Sequence, residues 1–199
     1  ERRFGERLEF QPYGKVLRGE LNRLTGLMQE LLDYGRPRAL NISRDSIELS
    51  VDRAITACAA LAEASKVSVV KEPGDWAHEV DLDVDRIAQV FRNLIENSIQ
   101  HSREGATVVL AARSRGEDGR LWIDCTVEDS GPGFKPEDLP LLFDPFFSRR
   151  RGGTGLGLSI VQRIVDQHGG HITAGRREQG GARMVVSLSA AAPSRHAET

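Results

Sequence analysis

The order of periodicities along the chain predicts an α+β fold: a two-layer sandwich of a mixed, mostly antiparallel sheet packed on helices and preceded by a long helix. Three observations carry this. Helical spacing dominates the first hundred residues. Strand-like runs cluster late and adjacent, two of them joined by Gly116-Glu117-Asp118-Gly119, a hairpin signal. Adjacent late strands are linked by hairpins, which favours such a sandwich over a doubly wound sheet.

Residues 1–12 read as a charged helix tail and a loop ending at Pro12. From about Tyr13 to Tyr34, Leu17, Leu21, Leu24, Met28, Leu31 and Leu32 recur at helical spacing on one apolar face. Gly35-Arg36-Pro37 ends that helix, since proline cannot continue it. A lone helix of this length cannot bury its own stripe, so it needs a second chain or another helix. Ser50 to Lys66 reads as a helix, Val67–Val70 as a short strand and residues 86–101 as a helix. Val108–Arg113 and Leu121–Glu128 read as paired strands. A helix over Leu156–His168 stops at Gly169-Gly170, and strands follow at His171–Gly175 and Arg183–Ser189. The tail from Ala190 has the composition of a disordered end. The resulting division is 1–37, 38–190 and 191–199.

Bulk composition narrows the function. A net charge of −2 gives no electrostatic case for nucleic acid or an anionic membrane. Cys58 and Cys125 sit far apart among apolar neighbours, as buried reduced thiols do. No apolar run approaches the ~20 residues of a membrane span, and no signal peptide opens the chain. The sequence starts at Glu1 without methionine and reads as a fragment, so the full-length protein's membrane attachment stays open.

Chemistry concentrates in three segments. In the helix over 86–101, Ile87, Val90, Phe91, Leu94 and Ile95 fall on one side, and Arg86, Gln89, Asn93, Asn97 and Gln100 on the other. Asn93 and Asn97, four apart, stack on one face. Asparagine is a poor helix former. Two stacked amides suit a hard cation such as Mg²⁺ that also shares phosphate oxygens and water, though this helix taken alone reads more readily as a solvated polar face. Asp129-Ser130-Gly131-Pro132-Gly133-Phe134 leaves a strand as a turn. Its glycines let backbone approach a flat ligand, and its aspartate could accept a hydrogen bond from an adenine amine. An ordinary turn has the same residues. Gly153, Gly155 and Gly157 alternate before an amphipathic helix, the arrangement of an anion site on exposed amides. Neither a Walker A sequence nor a dinucleotide fingerprint is present. Arg149, Arg150 and Arg151 lie just upstream, as phosphate ligands or as a solvated charge run.

Taken in order, these segments resemble the ATP-binding catalytic domain of a two-component sensor histidine kinase, in the superfamily shared with the ATPase part of DNA gyrase, the mismatch-repair ATPases and chaperone ATPases. Asn93–His101 is similar to the family's N box and Asp129–Phe134 to its first glycine box. Phe143-Asp144-Pro145-Phe146-Phe147-Ser148 is similar to the F box and Gly153–Leu158 to the second glycine box. Gly180-Gly181-Ala182-Arg183-Met184 resembles the closing glycine segment. The match spans roughly residues 40–190. Gln29–Pro37 resembles the end of the second helix of the dimerisation and phosphotransfer domain.

The resemblance implies a Bergerat-type ATP-binding fold with ATP and Mg²⁺ as cofactors. Asn97 would be the main metal ligand, with Asn93 helping to place metal and phosphates. Asp129 would read the adenine amine, with Gly131 and Gly133 lining the base pocket and His101 flanking it. A short lid from Phe147 to Gly153 would cover the nucleotide. Gly155 and Gly157, with Thr154, Leu156 and Leu158 beside them, would offer backbone to the phosphates, and Arg149–Arg151 would contact the γ-phosphate. The implied partners are a helix bearing an acceptor histidine, a response-regulator receiver domain and a second copy of the full-length protein. The implied place of this fragment is the cytoplasm.

Two departures stand out. Gln100 occupies the place of a common phosphate-binding lysine, for which the lid arginines would compensate. Arg183 precedes Met184 where a threonine before an aromatic is frequent. None of the five histidines sits in a phosphoacceptor context, His78-Glu79 included, because no proline follows. His168 and His171 flank the Gly-Gly helix stop and read as structural. The acceptor is therefore expected outside this sequence. The alternative is a gyrase- or chaperone-type ATPase, but that class usually carries a water-activating glutamate where Asn93 stands.

Overall fold

The computed structural model describes residues 39–150 and 153–190, together with Gly14, Leu17, Leu21, Thr25, Met28 and Gly35. The chain divides into two compact units, Glu1–Arg38 and Ala39–Thr199. In the first unit every described position is helical. The helix includes Gly35, one residue past the end expected from sequence. Leu17, Leu21 and Met28 are exposed, and the Thr25 hydroxyl donates to the Leu21 carbonyl at 2.9 Å. The rest of the expected stripe, Leu24, Leu31 and Leu32, lies outside the described residues.

In the second unit the elements run β1 (Ser43–Ser46), α1 (Ile47–Ser65), β2 (Ser68–Lys71), β3 (Glu79–Leu82), α2 (Val84–His101), β4 (Thr107–Glu117), β5 (Arg120–Glu128), a 3₁₀ turn at Pro136–Leu141, α3 (Gly157–Gln167), β6 (His171–Arg176) and β7 (Ala182–Ser189). Among the described residues they build a five-stranded sheet of order β2-β4-β5-β7-β6 and a two-stranded sheet of β1 and β3. Within the larger sheet β2 pairs parallel to β4, and the remaining pairs are antiparallel. The mixed, mostly antiparallel sheet on helices is therefore as expected. Helix α1 starts three residues earlier than its spacing suggests, at Ile47. Strands β1 and β3, which sequence pattern does not predict, pair Ser43 with Leu82 through to Ser46 with Glu79.

The hairpin is tight for a local reason. Asp118 and Gly119 both take positive φ, 51° and 74°, and Glu117 pairs with Arg120. That is a two-residue turn of the mirror-image kind, whose twist matches the flanking strands. The C-terminal expectation needs one correction. Ala190, assigned to the disordered tail, bridges Val80 and donates its N–H to the Leu121 carbonyl at 2.8 Å. Residues 191–199 lie outside the described residues.

The core fills the space between one sheet face and three helices. Val108, Leu110, Ile123, Cys125, Val127, Val186 and Leu188 face Ile47 and Val51 of α1, Ile87, Phe91, Leu94 and Ile95 of α2, and Val161 and Val165 of α3; all are at most 1% exposed. Each large side chain so buried contributes about 1.5–3 kcal/mol over its exposed state. This packing anchors the apolar side of α2 and leaves its polar side, with Asn93 and Asn97, turned away from the core. Both cysteines are buried and free. Burial, with a smaller contribution from Glu96 offset by Arg92, pushes the Cys58 thiol up to about 11, and burial raises that of Cys125 further. No helix among the described residues is long and apolar enough to cross a membrane.

Candidate functional site

Helix α2 is capped at its start by Asp83. One Asp83 carboxylate oxygen accepts from Arg86 N–H at 3.1 Å as an N-cap, and the other accepts from Asn41 N–H at 2.9 Å. The Asp83 N–H donates to His168 Nε2 at 3.0 Å, while His168 Nδ1 lies 2.7 Å from the Ile164 carbonyl. Because a carbonyl only accepts, His168 must carry its proton on Nδ1, and this pair of bonds needs the neutral ring. His168 thus ties the end of α3 to the start of α2, the structural role expected of it. His78 lies in the loop before β3.

The polar side of α2 meets the two glycine loops and Arg150 at three levels. Asn93 Nδ2 donates to the Gly157 carbonyl at 3.3 Å. The Arg150 guanidinium donates to Gln100 Oε1. At the helix end the His101 backbone carbonyl stands where a side chain on Gly131 would be, 2.7 Å from an ideal Cβ. The His101 ring is exposed, with Nδ1 2.8 Å from the Asn97 carbonyl. The structure therefore brings Asn93, Asn97, Gln100 and His101 alongside Gly131, Arg150 and Gly157. The Asn97 side-chain amide and Asn93 Oδ1 have no hydrogen-bond partner among the described residues.

Asp129 is only 4% exposed. Its Oδ1 accepts two backbone N–H groups, from Gly131 at 2.8 Å and from Ala182 at 3.1 Å. No hydrogen bond reaches Oδ2 among the described residues. A buried carboxylate oxygen left unsatisfied is costly unless a ligand donor completes it, and an adenine amine is such a donor. The loops around Asp129 are packed backbone to backbone. Gly133 takes φ of 70°, and a Cβ there would sit 2.7 Å from the Gly181 carbonyl oxygen. Arg177 Nη1 donates to the Asp129 carbonyl at 3.0 Å. Arg183, standing where a threonine is frequent, instead pairs with Glu128 at 3.4 Å. Asp129 is thus held by backbone amides, without a side-chain hydroxyl.

The phosphate loop is shaped from both ends. Phe146 and Gly155 both take positive φ, 69° and 68°, and Phe146 N–H donates to the Gly155 carbonyl at 2.9 Å. A Cβ at Gly155 would lie 2.3 Å from the Phe146 carbonyl carbon, and one at Gly153 would lie 2.5 Å from Ser148 Oγ. A Cβ at Gly157 would meet nothing within 4 Å, so that face is open. Gly157 opens α3, and no side chain caps the helix. Its first N–H groups therefore point out unpaired by the helix itself, a ready anion site. Leu156 and Leu158 pack with the core, and Leu156 N–H is taken by the Thr154 hydroxyl at 3.2 Å. These two leucines thus line the site only through their backbone.

The three arginines part ways. Arg150 leans on Gln100, as described. Arg149 turns to Asp138 of the 3₁₀ turn: Nη2 lies 2.7 Å from Oδ1, and Nε 3.2 Å from both carboxylate oxygens. The Arg149 guanidinium also stacks over the Phe147 ring, 5.7 Å from its centroid. Arg151 lies outside the described residues. Sequence reasoning gives neither Asp138 nor Gly181 a role of its own. Asp138 carries no local signal, whereas the Gly180-Gly181 pair hints at the positive φ of Gly181.

The Arg149 hydrogen bond holds the Asp138 carboxyl below the usual carboxylate range. A depressed folded pKa means that the pair contributes above the ordinary carboxylate pKa and is lost as pH falls through the folded value. An NMR titration should therefore place the Asp138 midpoint below that of an exposed aspartate. In Arg149→Ala the midpoint should move back up; an unmoved midpoint would contradict the ion pair.

Residues 82–192 match the model of the family described as histidine kinase-, DNA gyrase B-, and HSP90-like ATPase. The sensor histidine kinase ZraS of Salmonella typhi is 31% identical over 180 residues, covering 90% of this chain and 38% of ZraS. The chain thus spans about two-fifths of such a relative's length. The nucleotide-free catalytic domain of the histidine kinase ThkA superposes with a TM-score of 0.68 at 25% identity, covering 76% of this chain and 97% of that domain. Full-length ShkA in complex with AMPPNP superposes with a TM-score of 0.78 at 24% identity, covering 92% of this chain and 40% of ShkA.

Proposed function

From the premise that this chain belongs to the histidine kinase-, DNA gyrase B- and HSP90-like ATPase family, as a histidine-kinase ATP-binding catalytic domain, we propose how its residues divide the work. The observation that carries the reading is the convergence of both glycine loops, Asp129–Phe134 and Gly153–Leu158, and of Arg150 on the polar face of α2. Asp129 recognises the adenine amine through Oδ2. Gly131 and Gly133 admit the base, and His101 flanks it. Asn97, with Asn93 beside it, supplies amide oxygens to Mg²⁺. That donor set suits an ion that keeps water and shares phosphate oxygens. Mg²⁺, when bound, neutralises phosphate charge. The open amides at the start of α3 hold the phosphates, and Arg150 supplies the cation that Gln100 lacks. Positioning and charge neutralisation are most of what phosphoryl transfer asks of a protein.

The full activity is transfer of the γ-phosphoryl group to a histidine on a dimerisation helix and then to a response-regulator aspartate, on the cytoplasmic side. The segment 1–37 would be the end of that helical hairpin and would support a homodimer of the full-length protein. A gyrase- or chaperone-type ATPase is not favoured, since Asn93 cannot activate water as a glutamate does.

Asn97→Ala tests the assignment. Calorimetry should give Mg²⁺-dependent ATP binding for the parent chain. In the variant, affinity should be the same with magnesium and with chelator; a retained metal dependence would refute the role of Asn97. With radiolabelled ATP, the parent chain should label a supplied helix bearing the acceptor histidine. Acid-labile phosphate on the chain itself would overturn the missing-acceptor reading.

A further inference from the structure

Asp138 is an acidic side chain only 5% exposed, an unusual place for a charge. Among the described residues its carboxylate is held by Arg149, whose guanidinium grips both carboxylate oxygens. A buried carboxylate needs a cation or hydrogen-bond donors to satisfy it, because an unpaired one is strongly disfavoured. The pair joins two segments: the 3₁₀ turn at Pro136–Leu141, and the arm Phe147–Arg150 that leads into the phosphate loop. The Phe147 ring lies under the same guanidinium. The next residue along the arm, Arg150, reaches Gln100 on α2. The root of the arm is fixed at Phe146 by its bond to Gly155.

The arm is thus held at its root, in its middle and at its crest by three different elements. An arginine neutralised by a buried aspartate is a poor phosphate ligand, because leaving would strand that carboxylate. Among the described residues the guanidinium of its neighbour Arg150 leans on the neutral Gln100 amide and pairs with no carboxylate.

We propose that Asp138 is a positioning residue for nucleotide binding: by holding Arg149 it latches the Phe147–Arg150 arm in place and so presents Arg150, not Arg149, to the triphosphate. This rests on the nucleotide reading above and assigns Arg149 a role other than phosphate contact. The latch acts before ligand arrives, so it contributes by preorganisation, lowering the ordering cost of binding.

The test is a double-mutant cycle on the full chain with Asp138→Ala, Arg149→Ala and the pair, read by calorimetry with Mg-ATP and with adenosine. Each single variant should weaken ATP binding by roughly tenfold, and the double no further, because the two residues act as one unit. Adenosine affinity should stay at the parent value, since the Asp129 pocket is untouched; a merely structural role would weaken both ligands together. Asp138→Glu should restore most of the ATP affinity. Hydrogen exchange at the amides of residues 148–150 should rise in Asp138→Ala without nucleotide.

If Asp138→Ala binds ATP as well as the parent or more tightly, or if Arg149→Ala is far worse than Asp138→Ala, Arg149 touches the phosphates and the latch is overturned. Additive effects in the double variant have the same consequence. If the parent chain fails to bind ATP at all, the nucleotide reading falls and this proposal with it. Altered exchange at 148–150 would then still report the latch as a contact without that function.

Discussion

Asp129→Asn should reduce ATP affinity by one to two orders of magnitude while leaving the fold intact. The side chain is isosteric, so packing is unchanged. Two backbone N–H groups converge on Oδ1, from Gly131 and Ala182. An asparagine must turn its carbonyl oxygen toward those donors to satisfy them. Its NH₂ then occupies the place of Oδ2 and meets the adenine amine donor to donor. A hydrogen bond involving a charged group contributes about 1.5–3 kcal/mol, which is roughly 10–150-fold in Kd. Thermal stability should change little, because both buried N–H groups keep their acceptor. Calorimetry with ATP and a melting curve check both halves. Unchanged affinity would remove Asp129 from the base site, and a large drop in melting temperature would make its role structural.

Gly181→Ala should damage stability and nucleotide binding together. Gly181 takes φ of 100°, and an added Cβ would sit 1.9 Å from the Asp129 carbonyl oxygen and 3.0 Å from Ser130 Cα. Both are backbone atoms that cannot swing aside. Backbone strain costs about 1–3 kcal/mol, and overpacking typically adds about 1–3 kcal/mol. The atoms that must move belong to the residue proposed to read adenine, so ATP affinity should fall as well. Gly105→Ala is the matched control. Gly105 also takes positive φ, 81°, but its Cβ would meet nothing within 4 Å. It should show the conformational cost alone and keep ATP affinity. A Gly181→Ala protein as stable as the control would contradict the close packing of the two loops.

The amphipathic split of α2 and of the helix after the second glycine loop was readable from spacing, since a 3.6-residue period encodes which side is buried. The hairpin at Asp118-Gly119 was readable for the same kind of reason, because the turn residues themselves permit positive φ. The glycine boxes and Asn97 could be placed in order, and the family resemblance they carry agrees with the relatives found. Strands β1 and β3 were not readable. Ser43–Ser46 is polar and short, and it is a strand only because Glu79–Leu82 lies beside it. The arginine triplet looked uniform, yet Arg149 and Arg150 find different partners 11 and 50 residues away.

By itself the sequence determined where the backbone can turn, which faces are apolar and which residue types gather before α3, because φ preference and periodicity are properties of neighbouring residues. Tertiary structure alone decided that one Asp129 carboxylate oxygen has no donor among the described residues, that Asp138 captures Arg149 and that His168 closes onto Asp83. Those pairings join groups distant along the chain. Their energies depend on separation and burial, which exist only once the core has packed.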